Sequence, residues 1–125
     1  MPKEKRRVWV NELVAQCHGA AVDGGWYHDV HTGKPIERDR LGLLMLIVTE
    51  IAEAAEGVRK GGVDKHLPHR PSVEVELADA VIRIMDYAGY QGLDLEGAIQ
   101  EKLAYNATRA DHIPANRAKA GGKAF

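Results

Sequence analysis

A glutamate stands at the centre of an apolar helical stripe in this chain. On a helix turning about 100° per residue, Glu50 falls among Leu43, Leu46, Ile47 and Ala54, with Glu53 to one side of it. A carboxylate in that position is expensive unless the fold supplies a cation or hydrogen bonds. A second acidic step, Glu76-Leu-Ala-Asp79, also lies inside an apolar helical run. The i,i+3 spacing turns both carboxylates of a step to the same side, so two such helices packed face to face bring four acids together. Clustered carboxylates need cations, and oxygen ligands without histidine or cysteine favour magnesium, or manganese, over zinc or iron. Two such ions are a common device for breaking phosphate esters and anhydrides. Taken alone, Glu76 and Asp79 read as a solvated face, because Arg83, Asp86 and Tyr90 share their side of the helix. It is the pairing of two steps that points to metal.

Breakers divide the chain into four helical segments. The first is expected from about Arg7 to Ala21, ending before Asp23-Gly24-Gly25, with Val8, Leu13, Val14 and Cys17 among its apolar positions and Trp9 in the core. A loop from Trp26 to Glu37 follows, and Asp39 is a good N-cap for a second helix that runs to Lys60 and stops at Gly61-Gly62. Within it, Leu41 to Val48 is apolar on every side and must be covered by its own chain or by a partner. Pro68 and Pro71 bound the next loop, Ser72 caps a third helix reaching about Gly89, and a fourth runs from Asp94 to near His112 before Pro114. Ile99, Leu103 and Ala107 make the inward stripe of the fourth, and the tail beyond Asn116 reads as loose. With no strand signal, the expectation is an all-α four-helix bundle, one domain over residues 1–125 with its core at about 7–112.

Composition narrows the function classes. A net charge of -1 gives no case for a nucleic-acid surface, and Lys3, Lys5, Arg6 and Arg7 read as a solvated basic start. Cys17 is the only cysteine, which excludes an intrachain disulfide and reads as a small helix residue. The charged first residues lead into no signal-type apolar run, and Leu41 to Val48 is too short to span a bilayer, so the expected compartment is the cytoplasm, without membrane partners.

The same residues resemble the MazG-like members of the all-alpha nucleoside triphosphate pyrophosphohydrolases, whose signature is EExxE followed by ExxD. Here it stands as Thr49-Glu50-Ile-Ala-Glu53 and Glu76-Leu-Ala-Asp79, with Glu56 continuing the first half and Glu76-Leu-Ala-Asp-Ala-Val-Ile-Arg-Ile similar to the family's ELADVLI segment. Lys102, Asn106 and Arg109 match its KxxxNxxR stretch, and Gly25-Trp26 its base-holding loop; Thr49 departs from the first Glu of EExxE. The resemblance covers roughly Val8 to Arg109. It implies a homodimeric or homotetrameric bundle in a bacterial or phage-infected cytoplasm. It also implies that Glu50, Glu53, Glu76 and Asp79 hold catalytic magnesium, with Glu56 as a supporting ligand. The implied reaction is attack of water on the α-phosphorus of a nucleoside triphosphate, giving monophosphate and pyrophosphate, with dGTP or GTP as the first substrates to try.

Some residues carry alternatives. Lys102, Asn106 and Arg109 lie at i, i+4 and i+7, so they either meet phosphate oxygens together or form a solvated face at a helix end. Trp26 and Tyr27 either stack on a base, with His28 or Asp29 reading its edge, or anchor the loop. His66-Leu-Pro-His69 lacks the further ligands that zinc needs, and its basic loop is a minor candidate for the triphosphate tail. The rival function is a non-catalytic helical oligomer in which the acids pair with Arg59, Lys60 or Arg83.

Overall fold

Glycine and aspartate at the breakers set the helix ends. The computed structural model describes residues 7–125; Lys3, Lys5 and Arg6 lie outside the described residues. Helix α1 spans Val10–Asp23, α2 Arg40–Lys60, α3 Ser72–Gln91, α4 Leu95–Thr108 and the short α5 Pro114–Arg117, with a 3-10 turn at Ala110–His112. No strand forms among the described residues, which are all-α in class; isolated bridges at His28–Pro35 and Val63–Pro71 merely pinch two loops. None of the described helices is long and apolar enough to cross a membrane.

Asp39 caps α2 by accepting the Gly42 N–H at 3.0 Å, and Asp94 caps α4 by accepting the Gly97 N–H at 3.0 Å. Gly61, at φ 69°, ends α2 in a conformation open to a residue without Cβ. Helix α3 runs past the expected end at Gly89 to Gln91. There Gly92, at φ 65°, lets the N–H groups of Gly92 and Leu93 fold back onto the carbonyls of Gly89 and Ala88. Helix α1 starts later than expected, after Trp9, whose side chain is 56% exposed rather than in the core.

The chain forms two compact units, one reaching to Leu93 and one of Asp94–Phe125. In the first unit α3 packs against both α1 and α2. Apart from Met85 of α3 and Tyr27 from the loop after α1, its core is made of small side chains: Val14 and Cys17 from α1, Ala54 from α2, and Ala80 and Ala88 from α3. Small residues let the helix axes approach closely. Burial, followed by the nearby Asp86 carboxylate, pushes the Cys17 thiol up, which leaves it protonated and inert.

In the second unit α4 stops at Thr108, short of the expected His112, because Arg109 turns to extended backbone and its guanidinium grips Asp111 through two bonds of 3.0 and 2.8 Å. The expected inward stripe on α4 has Ile99 and Leu103 exposed. Side chains and backbone of the tail make contacts. Arg117 donates to the carbonyls of Lys123 and Ala124, and Lys123 lies 3.7 Å from Asp111.

One glycine fixes the α1–α3 distance. A Cβ on Gly89 would come within 2.5 Å of His18 Cβ, whereas one on Gly19 would meet nothing within 4 Å. Both are helical, so alanine gains about 1 kcal/mol of helix propensity at either site. Gly89→Ala should nevertheless lower the free energy of unfolding by about 1–2 kcal/mol in urea titration, because the packed helices must part. Gly19→Ala should raise it by about 0.5–1 kcal/mol.

Candidate metal centre

The acidic steps are one on each of two packed helices. Glu50 and Glu53 lie on α2, Glu76 and Asp79 on α3, and the α2–α3 packing turns the two steps toward each other. Ligand oxygens of Glu50, Glu76 and Asp79 all lie within 4.8 Å of one another. Glu53 is exposed, yet it reaches Glu76 closely enough to hydrogen-bond with it. Glu56 stands apart, because Arg59, one turn on, holds both its oxygens, with Nε at 2.8 Å. Thr49 is exposed and its hydroxyl donates to the Leu46 carbonyl at 2.6 Å.

Crowding and desolvation act together on these acids. Burial, then hydrogen bonding with Glu53 and the charges of Glu53 and Asp79, push the Glu76 carboxyl from 4.5 up to about 7. Burial and the Glu50 charge raise Asp79 as well, against the pull of Arg83, with Asp64 and Glu53 adding to the rise. Glu50 is compensated directly: Arg83 Nε donates to its Oε1 at 2.9 Å. The Glu50 side chain is 12% exposed, as its place in the apolar stripe requires.

These acids can hold a metal ion. Magnesium bonds oxygen at about 2.0–2.1 Å, so ligands on opposite sides of one ion lie about 4.2 Å apart, close to the spread seen here. All donors are carboxylate oxygens, which suits magnesium or manganese. His66 and His69 join no such group among the described residues. Their loop is shaped by Asp64, which accepts the N–H groups of His66 and Leu67 at 2.8 Å each, and this places the Asp64 carboxylate near Asp79.

A cavity of about 670 Å³ adjoins the acids, lined by Glu50, Asp79 and Arg83 together with Cys17, Trp26, Arg38, Leu46, Ile82 and Asp86 among others. That volume suits a small organic ligand. Trp26 is 65% exposed, and its carbonyl accepts from Arg38 at 3.0 Å. Tyr27 is not available for stacking. It is 5% exposed, its ring lies 4.6 Å from that of Tyr90, and its hydroxyl donates to both oxygens of Asp86 at 2.9 Å. His18 completes the knot, with Nδ1 2.9 Å from Asp86 Oδ1. Burial, followed by the bond to Asp86, pushes the Tyr27 hydroxyl well above its usual value, so it remains a donor. His28 and Asp29 shape the loop: the His28 backbone pairs with that of Pro35, and Asp29 accepts the N–H groups of His31 and Thr32.

Sequence reasoning left out His18, Arg38 and Asp64, which nothing in their local spacing marks. Asp86 and Tyr90 carried a signal, since they share the Glu76–Asp79 side of α3, but a line of polar residues on a helix reads as wet until its neighbours are known.

Lys102, Asn106 and Arg109 belong to the second unit. The Lys102 ammonium sits 4.9 Å above the Tyr105 ring, Asn106 Oδ1 is buried without a hydrogen-bond partner among the described residues, and Arg109 is engaged by Asp111. Because α4 ends before Arg109, the three do not share the single helical face that their spacing suggests.

Comparison with protein-family models, with curated proteins and with solved structures gives no match.

The raised carboxyls set a pH dependence. Between 4.5 and about 7 the folded chain keeps a proton on Glu76 that the unfolded chain has released. The folded state therefore loses stability as pH rises through that window, and Asp79 acts in the same sense. In EDTA the melting temperature should fall between about pH 5 and about pH 8, and saturating manganese should remove most of the fall. Calorimetric scans across pH, with and without the ion, check this.

Proposed function

We propose that the chain is a metal-dependent nucleoside triphosphate pyrophosphohydrolase of the MazG-like kind. The observation that supports this most is the convergence of Glu50, Glu76 and Asp79 from two helices beside a cavity of about 670 Å³. Bound magnesium or manganese would supply positive charge to the phosphate oxygens and acidify a water. Glu50, Glu76 and Asp79 would hold the ion. Glu53, exposed and against Glu76, would take the proton of the attacking water. Water adds at the α-phosphorus, the bond to the β-phosphate oxygen breaks, and monophosphate and pyrophosphate leave. Trp26, at the cavity and largely exposed, is the ring available to stack on a base. The substrates to try first are dGTP and GTP.

With magnesium, the expected primary products from a panel of ribo- and deoxynucleoside triphosphates are monophosphate and pyrophosphate, resolved by ion-exchange chromatography. Diphosphate and orthophosphate as first products would exclude the mechanism. Glu76→Gln should cut turnover at least a hundredfold. The same change should raise the melting temperature in EDTA at about pH 8, because the amide imitates the protonated acid that the fold prefers.

A second reading, a non-catalytic helical oligomer, is favoured by the Glu50–Arg83 and Glu56–Arg59 pairs. Titration with manganese separates the two, since an ion-paired scaffold binds no ion at this cluster.

Either reading includes self-association. Leu41, Leu44, Met45, Val48, Ile51 and Val58 follow one another at helical spacing along α2 and all are exposed, which suits burial against a second copy. Light scattering at micromolar concentration should report a dimer or tetramer, and Met45→Glu should shift it toward monomer. A wild-type monomer would overturn this assembly.

A further inference from the structure

The Glu50–Arg83 pair is unequal. Glu50 is 12% exposed and fixed in an apolar stripe, while Arg83 is 42% exposed and open to solvent on one side. Arg83 therefore brings a tethered cation to one of the oxygens that a metal ion would need, in a cluster of three carboxylates. A second cation arriving at Glu50 meets both an occupied acceptor and a like charge. Arg83 is also placed to do something else once displaced. On α3 it lies one turn after Asp79 and one turn before Asp86, and all three line the same cavity, with Trp26 on its wall. A guanidinium released there faces whatever fills the space between the acids and the Asp86 end. The planar fork of donors on arginine matches phosphate oxygens, which no carboxylate on that wall can do.

We propose that Arg83 and the divalent ion compete for Glu50, and that the displaced Arg83 then binds the phosphate of the nucleotide in the adjoining cavity. This rests on the metal and nucleotide reading given above, and it makes Arg83 a residue with opposite effects on two ligands. Removing it frees Glu50 for metal and deprives the nucleotide of a donor. A merely structural arginine would weaken both together.

The test is calorimetric titration of the full chain with manganese, and then of the manganese-loaded chain with each of the four deoxynucleoside monophosphates, for wild type, Arg83→Gln and Arg83→Lys. Arg83→Gln should bind manganese about fivefold more tightly, the upper end for a partly exposed ion pair. It should bind the preferred monophosphate at least about fivefold more weakly. Arg83→Lys keeps the charge and loses the fork, so its manganese affinity should stay near wild type while monophosphate binding weakens. If Arg83→Gln fails to fold, the lysine variant decides, and unaltered monophosphate binding in it overturns the proposal. Manganese binding in Arg83→Gln that is unchanged or weaker overturns the competition while leaving the metal site standing. Unchanged monophosphate binding overturns the hand-over. A wild type that binds no manganese, or no monophosphate once loaded, overturns the proposed function and this inference with it.

Discussion

Like charges brought out of water and toward one another are what the first unit must accommodate. Three carboxylates on α2 and α3 converge within 4.8 Å, and Arg83 offsets the one on Glu50. Arg83 pulls on Asp79 as well, but burial and the neighbouring acids outweigh it, and the titration of both Glu76 and Asp79 is raised. Such an arrangement persists because the helices are fixed by other contacts. Ala54 and Ala80 are buried, and a Cβ on Gly57 would lie 3.2 Å from the Ser72 hydroxyl, so α2 and the start of α3 are in close approach. The packing of small residues sets the helix spacing, and the spacing sets the acid cluster. Under the proposed function, binding an ion would relieve this repulsion, and the stability defect of the free chain would become affinity for a cation.

The cavity beside the acids depends on a different set of contacts. Asp86 receives the Tyr27 hydroxyl and lies 2.9 Å from His18 Nδ1, tying α3 to α1 and to the loop that carries Trp26. Arg38 is held twice, by its N–H donating to the Tyr90 hydroxyl at 2.9 Å and by its side chain donating to the Trp26 carbonyl. These bonds, half-buried except for the exposed one between Arg38 and Trp26, tie the Trp26 loop to α3 within one unit. The proposed hydrolase reading would need such preorganisation, because a phosphate ligand would have to meet metal and donors together.

The acids were legible one helix at a time. Glu50 in an apolar stripe and the two i,i+3 steps named the residues that converge, and Asp39, Gly61 and Asp94 named the helix ends where side-chain or glycine chemistry acts locally. The sequence pattern makes the fourth helix too long, since the Arg109–Asp111 pair that ends it sits past the apolar pattern and carries no periodic signal. Tyr27 resembles a stacking ring in sequence, because an aromatic beside a glycine turn looks the same whether its hydroxyl meets solvent or a carboxylate 59 positions away.

What the sequence by itself determined is therefore whatever depends on neighbours within a turn or two: an all-helical chain, its breakers and caps, and four carboxylates placed in pairs on apolar helices. Only the tertiary structure decided which of those carboxylates meet, that Arg83 sits on Glu50, that Glu56 belongs to Arg59, and that Asp64, Asp86 and His18 stand around the same unit. The physical reason is range. Helix propensity, capping and periodicity act over a few residues, whereas a titration shift or an ion pair depends on distances of a few ångströms between segments far apart in the chain. Those distances are fixed by close packing at small residues, such as Gly89 against His18, which no local pattern encodes.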